Sequence, residues 1–131
     1  LRYSLPITRR YIELLIEQNE ETLAEHELRN ALKYVWHDEL ISLYGTLKGE
    51  DASRQLLFAE QQLQERPNDP QLLLILGRLA LRLNDLDKAQ EYLQTGLRIK
   101  GLPELHAEMG KVLRAEGNES RACEHFQLAL R

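Results

Sequence analysis

Four histidines and one cysteine are the residues of this 131-residue chain best suited to ligation or nucleophilic work: His26, His37, His106, His125 and Cys123. Zinc or iron on a single helix needs imidazoles one turn apart, and no two of these histidines stand at i, i+4. His106 falls in an apolar periodicity and reads as a packing residue rather than a ligand. Cys123-Glu124-His125 lacks the second cysteine of a haem-attachment motif. Cys123 itself, beside the small Ala122, reads as a small hydrophobe or a free thiol, with inert packing favoured. The run Glu17 to Glu21 is a solvated helix end. Gly45, Gly77 and Gly110 are too dispersed to cradle a phosphate. The expectation is a non-enzyme with no catalytic, metal or cofactor residue.

Those glycines belong instead to a spacing. Gly77 is followed 33 residues later by Gly110, Ala89 by Ala122, Leu93 by Phe126 and Gly96 by Ala129. The turn residue Asn84 is matched by Gly117 at the same interval. A fixed period of this length means stacked copies of one supersecondary unit. Apolar residues fall at helical spacing on both sides of a polar break, so the unit is a helix hairpin. Numbered from Pro70, Leu73, Leu76, Gly77 and Ala80 occupy positions 4, 7, 8 and 11, and Ala89, Leu93 and Gly96 positions 20, 24 and 27. The copy from Pro103 keeps the register with His106, Met109, Gly110, Leu113, Ala122, Phe126 and Ala129. This pattern resembles the tetratricopeptide repeat, in which small residues at positions 8 and 20 let two helices cross closely.

Upstream, Ser4 reads as a hydroxyl cap with Pro6 in the first turn. Ala24, Leu28 and Ala31 then fall on positions 20, 24 and 27 counted from Leu5. Ile12 stands where glycine is usual and predicts a wider crossing in that terminal hairpin. Residues 38–69 form a degenerate copy, with Asp38 as cap and Ile41, Tyr44 and Gly45 at positions 4, 7 and 8. Its turn, Gly49 to Ser53, is longer, and the spacing predicts a shortened second helix in compensation. Asp69 caps the next helix with Pro70 at its first position, and Gly101-Leu102-Pro103 marks another boundary. The expected fold is all-α, an α-solenoid of about four tetratricopeptide (TPR) hairpins in one domain over 1–131, with repeats near 5–37, 38–69, 70–102 and 103–131.

The first helices of such a solenoid line a concave wall at positions 2, 5, 9, 12 and 13. Arg9, Glu13, Ile16 and Glu17 fall there in the first unit, and Ser42 and Thr46 in the second. The third unit supplies Gln71, Leu74, Arg78, Leu81 and Arg82, and the fourth Glu104, Ala107, Lys111 and Arg114. Read as solvent-facing, Arg78, Arg82, Lys111 and Arg114 with Leu74 and Leu81 would receive an acidic protein segment with apolar anchors. Chaperone-binding repeats carry Lys and Asn at positions 5 and 9. The pairs here are Arg9 and Glu13, Ser42 and Thr46, Leu74 and Arg78, Ala107 and Lys111, so that use is not expected. Phe126, Ala129 and Leu130 at the last helix are expected to need cover, from a further helix or from a second copy in a two-fold dimer.

The wording of the middle of the chain adds a second resemblance. Leu43-Tyr44-Gly45-Thr46-Leu47-Lys48-Gly49, Ala59-Glu60, Arg66 to Leu73, Leu76 to Leu79, Lys88-Ala89 and Tyr92-Leu93 resemble the C-terminal region of the HemY family. Gln62 departs from it where a Trp is expected. The resemblance implies the soluble repeats of a bacterial inner-membrane protein linked to haem biosynthesis, on the cytoplasmic face. It implies a scaffold near haem-pathway enzymes and carries over no catalytic residue. Direct haem binding, with Arg78 and Arg82 on the propionates, and a general assembly adaptor are the alternatives.

Composition sets the outer limits. The net charge of -4 argues against a dedicated nucleic-acid binder. A single cysteine excludes an intramolecular disulfide. The longest apolar run, Leu72 to Leu76, is far short of the ~20 residues of a spanning helix. The chain opens without Met or a signal peptide and is expected to be a fragment of a longer protein.

Overall fold

A computed structural model describes residues 4–131. Eight helices lie among them: α1 Leu5–Glu17, α2 Glu21–Tyr34, α3 Asp38–Thr46, α4 Ala52–Glu65, α5 Pro70–Arg82, α6 Leu86–Ile99, α7 Pro103–Ala115 and α8 Glu119–Ala129. No strand occurs among the described residues. In chain order the helices form four helix-turn-helix units that stack on one another. Among them α1–α2, α5–α6 and α7–α8 pack as hairpins, whereas α3 and α4 each pack chiefly on α5. The molecule is an all-α solenoid of tetratricopeptide type.

Three of the four hairpins turn by one device. Asn19, Asn84 and Gly117, each the fifteenth residue of its unit, take left-handed backbones with φ of 60°, 61° and 84°. That conformation costs least for Gly and Asn. The following N–H, from Glu20, Asp85 or Asn118, reaches back to the carbonyl of Leu15, Ala80 or Leu113 at 2.8–2.9 Å. This is the Schellman closure, which satisfies helix-terminal carbonyls while reversing the chain. Asp85 and Asn118 then cap the next helix, accepting from the backbone N–H of Lys88 and Arg121.

The helix starts differ from expectation in two places. Ser4 is the N-cap of α1, yet its hydroxyl makes no cap bond; its carbonyl accepts from Thr8 instead, at 2.8 Å. His37, not Asp38, caps α3, its Nδ1 accepting from the Glu39 N–H at 3.1 Å. Asp69 behaves as expected, accepting from the N–H groups of Gln71 and Leu72 ahead of a helix that begins with Pro70.

The irregular second hairpin shortens its first helix, not its second. α3 has 9 residues, whereas α4 has the same 14 as α2 and α6. Leu47 leaves the helix for an extended backbone in order to bury its side chain completely. The end of α3 therefore lacks a Schellman closure and takes side-chain donors in its place. Gln55 Nε2 serves the carbonyls of Tyr44 and Leu47, and the Arg82 guanidinium serves those of Leu47, at 2.6 Å, and Gly45, at 3.3 Å. Free helix-terminal carbonyls need such partners wherever water is excluded.

Packing follows the small residues. Ala24, Ala59, Ala89 and Ala122 are fully buried at the second-helix crossings. Gly77 lies against Leu93, Gly110 against the Phe126 ring and Gly45 against Ile75, each so closely that a Cβ would collide. Ile12 is fully buried where these units have glycine, and α1 and α2 pack less intimately than α5 and α6. α5 touches α3, α4, α6 and α7, so Leu72 to Leu76 are buried on every side of the helix. Among the polar groups that enter this interior, the Glu25 carboxylate accepts from the Tyr44 hydroxyl at 2.7 Å and from Arg29 Nε at 2.9 Å.

Candidate functional site

The first helices of the hairpins line an open groove in two adjoining parts that meet at Thr46. One part is bounded by Arg9, Asp38, Glu39, Ser42, Leu43 and Gln71. The other is bounded by Gly45, Lys48, Arg78, Leu81, Arg82, Glu108 and Lys111. The charges differ. The α1–α3 part sets Arg9 against Asp38 and Glu39, whereas the α5–α7 part sets Lys48, Arg78, Arg82 and Lys111 against Glu108 alone.

Most of the expected wall residues are therefore on the groove, but fewer of them are free than their solvent-facing positions implied. Leu74 is 1% exposed, in the core formed by the last two hairpins, and cannot meet a partner. The turn of α5 around its axis buries that position under α7. Arg78 Nε lies 3.3 Å from the carboxylate of Glu108, which also receives Lys111 Nζ at 3.1 Å. Arg82 holds the end of α3, and its burial lowers the guanidinium below its ordinary value while Glu21 opposes that shift. Arg114 stacks over Phe126 at 4.8 Å. Glu13 pairs with Arg9 at 3.6 Å, and Arg9 also reaches Glu39 at 3.0 Å. Ser42 accepts from Gln71 at 2.6 Å, and Thr46 Oγ1 donates to the Leu43 carbonyl. These contacts give Arg78 and Arg82 structural duties that their reading as solvent-facing cations did not include. Lys48 and Lys111, both exposed, are the cations with the lightest structural duty.

Sequence spacing missed Glu108, which lies buried at the root of this cation cluster. Its signal was available as a carboxylate three residues before Lys111 on one helix. It also missed a histidine pair. His106 is half-buried rather than core, and its Nδ1 stands 3.0 Å from Nδ1 of His125 on α8. A search along single helices does not find imidazoles brought together by a hairpin. One ring must donate and the other accept, so the contact holds a single shared proton. Burial first, then His106 and Arg121, pushes the His125 imidazole below its ordinary value. A depressed base is folded-state neutral, so its contribution is full above the unfolded value of 6.5 and is lost as pH falls below it. His125→Gln is expected to flatten the acid limb of a melting-temperature profile, and an unchanged limb would assign the loss to other groups.

Neither His106 nor His125 is among the residues that border the groove, so neither is presented there as an axial ligand. Among the described residues, no group of three or more His, Cys, Asp or Glu is placed to hold a metal ion. Cys123 is exposed, not packed beside Ala122. Among the described residues no helix is long and apolar enough to cross a membrane.

Position 24 of the last hairpin is also resolved by these contacts. Phe126 turns inward onto Gly110, as Leu93 does onto Gly77, and does not form an outer apolar end. Only Leu130, with Leu128 beside it, presents a large apolar surface to solvent there.

Residues 56–112 match the tetratricopeptide repeat family. The match runs from α4 through α5 and α6 into α7. Solved structures agree on the fold across nearly the whole chain. One titled MamA 41-end from Desulfovibrio magneticus RS-1 is 17% identical with a TM-score of 0.70, covering 98% of this chain and 75% of that one. One titled Crystal structure of MamA is 15% identical with a TM-score of 0.67, covering 92% and 73%. Another, MamA MSR-1 C2, is 12% identical with a TM-score of 0.65, covering 88% and 69%. At these identities the likeness to the tetratricopeptide-type solenoids is one of fold alone. No curated protein matches the sequence.

Proposed function

We propose that the chain is a non-catalytic docking scaffold whose groove, on the α5–α7 side, receives an acidic segment of a partner protein. Four cations around one carboxylate are what carry the reading: Lys48, Arg78, Arg82 and Lys111 leave a local positive excess on a chain that is acidic overall. Glu108 organises that cluster rather than cancelling it. Leu81, half-buried at the same place, offers the apolar contact; Leu74 no longer contributes one. The α1–α3 part, with Asp38 and Glu39, favours the basic end of the same guest, so the groove has a polarity.

The finer reading rests on wording. Its support is the resemblance of the stretches between Leu43 and Leu93 to the HemY family, which speaks for a scaffold at the cytoplasmic face of a bacterial inner membrane, beside haem-pathway enzymes. Direct haem binding is the weaker alternative, since Arg78 and Arg82 have protein partners and neither His106 nor His125 borders the groove.

A fluorescent peptide alternating Glu with Leu tests the groove. It is expected to bind with an affinity that falls as salt rises. Lys48→Gln with Lys111→Gln is expected to weaken it by about tenfold. The melting temperature is expected to fall only slightly, because the exposed Lys111 contributes little through its pair with Glu108. Equal binding by wild type and the double variant would place the partner elsewhere.

A further inference from the structure

His106 and His125 meet across the α7–α8 hairpin, away from the groove, and the docking reading gives them no duty. The helices that carry them are held at a close crossing. Gly110, about one turn after His106 on α7, lies against the Phe126 ring, and Phe126 follows His125 directly on α8. Ala122, three residues before His125, is fully buried at the same crossing. A Cβ on Gly110 would collide with that ring, so the packing of the hairpin, and not only their mutual contact, positions the two imidazoles.

Two imidazoles that face each other through like nitrogens can share a proton or share a cation. Zinc–nitrogen bonds at a tetrahedral angle would place two Nδ1 atoms about 3.3 Å apart and the ring centres about 5.2 Å apart. Here the Nδ1 atoms are 3.0 Å apart and the ring centroids 5.2 Å. The ring centres already have the required separation, and a small turn about the broad χ2 torsion parts the nitrogens by what remains. The protons balance without an outside base. In the neutral pair the donor ring carries its proton on Nδ1 and the acceptor ring on Nε2, so the donor only moves its proton to Nε2 and none is released. Burial first, then His106 and Arg121, keeps the His125 imidazole below its ordinary value and hence neutral at pH 7, the form that ligates. Of the two charges beside His125, Arg121 opposes a cation and Glu124 favours one. We infer that His106 and His125 form a two-imidazole site for a divalent transition metal of the zinc type, with water on its other positions. An all-imidazole protein set selects zinc, copper or nickel over magnesium and calcium. The ligands stand 19 residues apart on different helices, which is why spacing along a single helix does not find them.

Titration of zinc ions into the 131-residue chain tests this, followed by the histidine ring C–H resonances and by competition with a chromophoric chelator. One equivalent is expected to bind, to shift or broaden the resonances of His106 and His125, and to leave those of His26 and His37 in place. Magnesium at the same concentration is expected to do neither. His106→Gln and His125→Gln are each expected to weaken zinc binding by about tenfold or more, with helix content unchanged by circular dichroism. Cys123→Ser is expected to bind as wild type does. Should a Gln variant lose its helix content, the resonance pattern of the wild type decides alone. The inference is overturned by a chain that binds no zinc at millimolar concentration, or by a response centred on His26 or His37. Undiminished affinity in both Gln variants overturns it too, as does loss of binding in Cys123→Ser, which would give the ion to the thiol. An equal response to magnesium would reduce the effect to general charge screening and end the proposal.

Discussion

Gly110→Leu is expected to lower the melting temperature by about 10 °C, corresponding to about 3 kcal/mol for a chain of this size. A Cβ at this position would lie 2.5–2.7 Å from three atoms of the Phe126 ring. Glycine within an exposed helix ordinarily costs about 1 kcal/mol relative to alanine, so a side chain here would normally help. The collision reverses that sign. Gly77→Leu meets the Leu93 side chain as closely, and because Leu93 is fully buried its loss is expected to be comparable. Gly101→Ala is the control, with nothing nearer its Cβ than the His106 Nε2 at 4.0 Å. Thermal melts of the three variants decide the matter. If Gly110→Leu melts with wild type, α7 and α8 do not cross at this residue.

Glu25→Ala is expected to cost about 3 kcal/mol through an interaction that has nothing to do with helix crossing. Its carboxylate accepts from the fully buried Tyr44 hydroxyl and from two nitrogens of Arg29. Removing it leaves a buried donor and a half-buried cation without their acceptor, which costs more than the intact group contributes. Tyr44→Phe keeps the Glu25–Arg29 pair and is expected to lose only about 1 kcal/mol at neutral pH. Alkaline pH separates the two further. Burial first, then Glu25, drives the Tyr44 phenol far above its ordinary value of 10.0. A raised acid is folded-state neutral, so its contribution is complete below that value and is lost as pH rises above it. Denaturant titrations are expected to show a steep alkaline loss in wild type that Tyr44→Phe reduces. A Glu25→Ala protein as stable as wild type would mean that the carboxylate is not the acceptor of Tyr44.

Local rules and tertiary demand diverge most clearly in the second hairpin. Asp38 was a sound capping candidate from its place before an apolar run, but His37 has the cap because the helix begins one residue earlier in three dimensions. The long turn was legible from Gly49 to Ser53, and its compensation was not. Nothing local announces that Leu47 will abandon α3 for the core, or that Gln55 and Arg82 will then serve the carbonyls left behind. Those bonds join residues 8 to 37 apart in sequence. Arg82 consequently looked like a free groove cation when counted along its own helix.

The amino-acid sequence by itself determined the repeating hairpin, because its signals are local and recur: small residues at helix crossings, proline at helix starts, and Asn or Gly where the backbone must turn left-handed. It also placed Arg9, Ser42, Thr46, Arg78, Leu81, Arg82 and Lys111 along the groove, since a 3.6-residue period assigns faces without knowledge of neighbours, but it misplaced Leu74 and passed over Glu108. Tertiary structure alone decided which groove cations are free. The attachment of Arg78 to Glu108, the meeting of His106 with His125 and the inward turn of Phe126 all join different helices. Charge pairing and burial depend on distances between elements, and a helical period specifies directions within one element only.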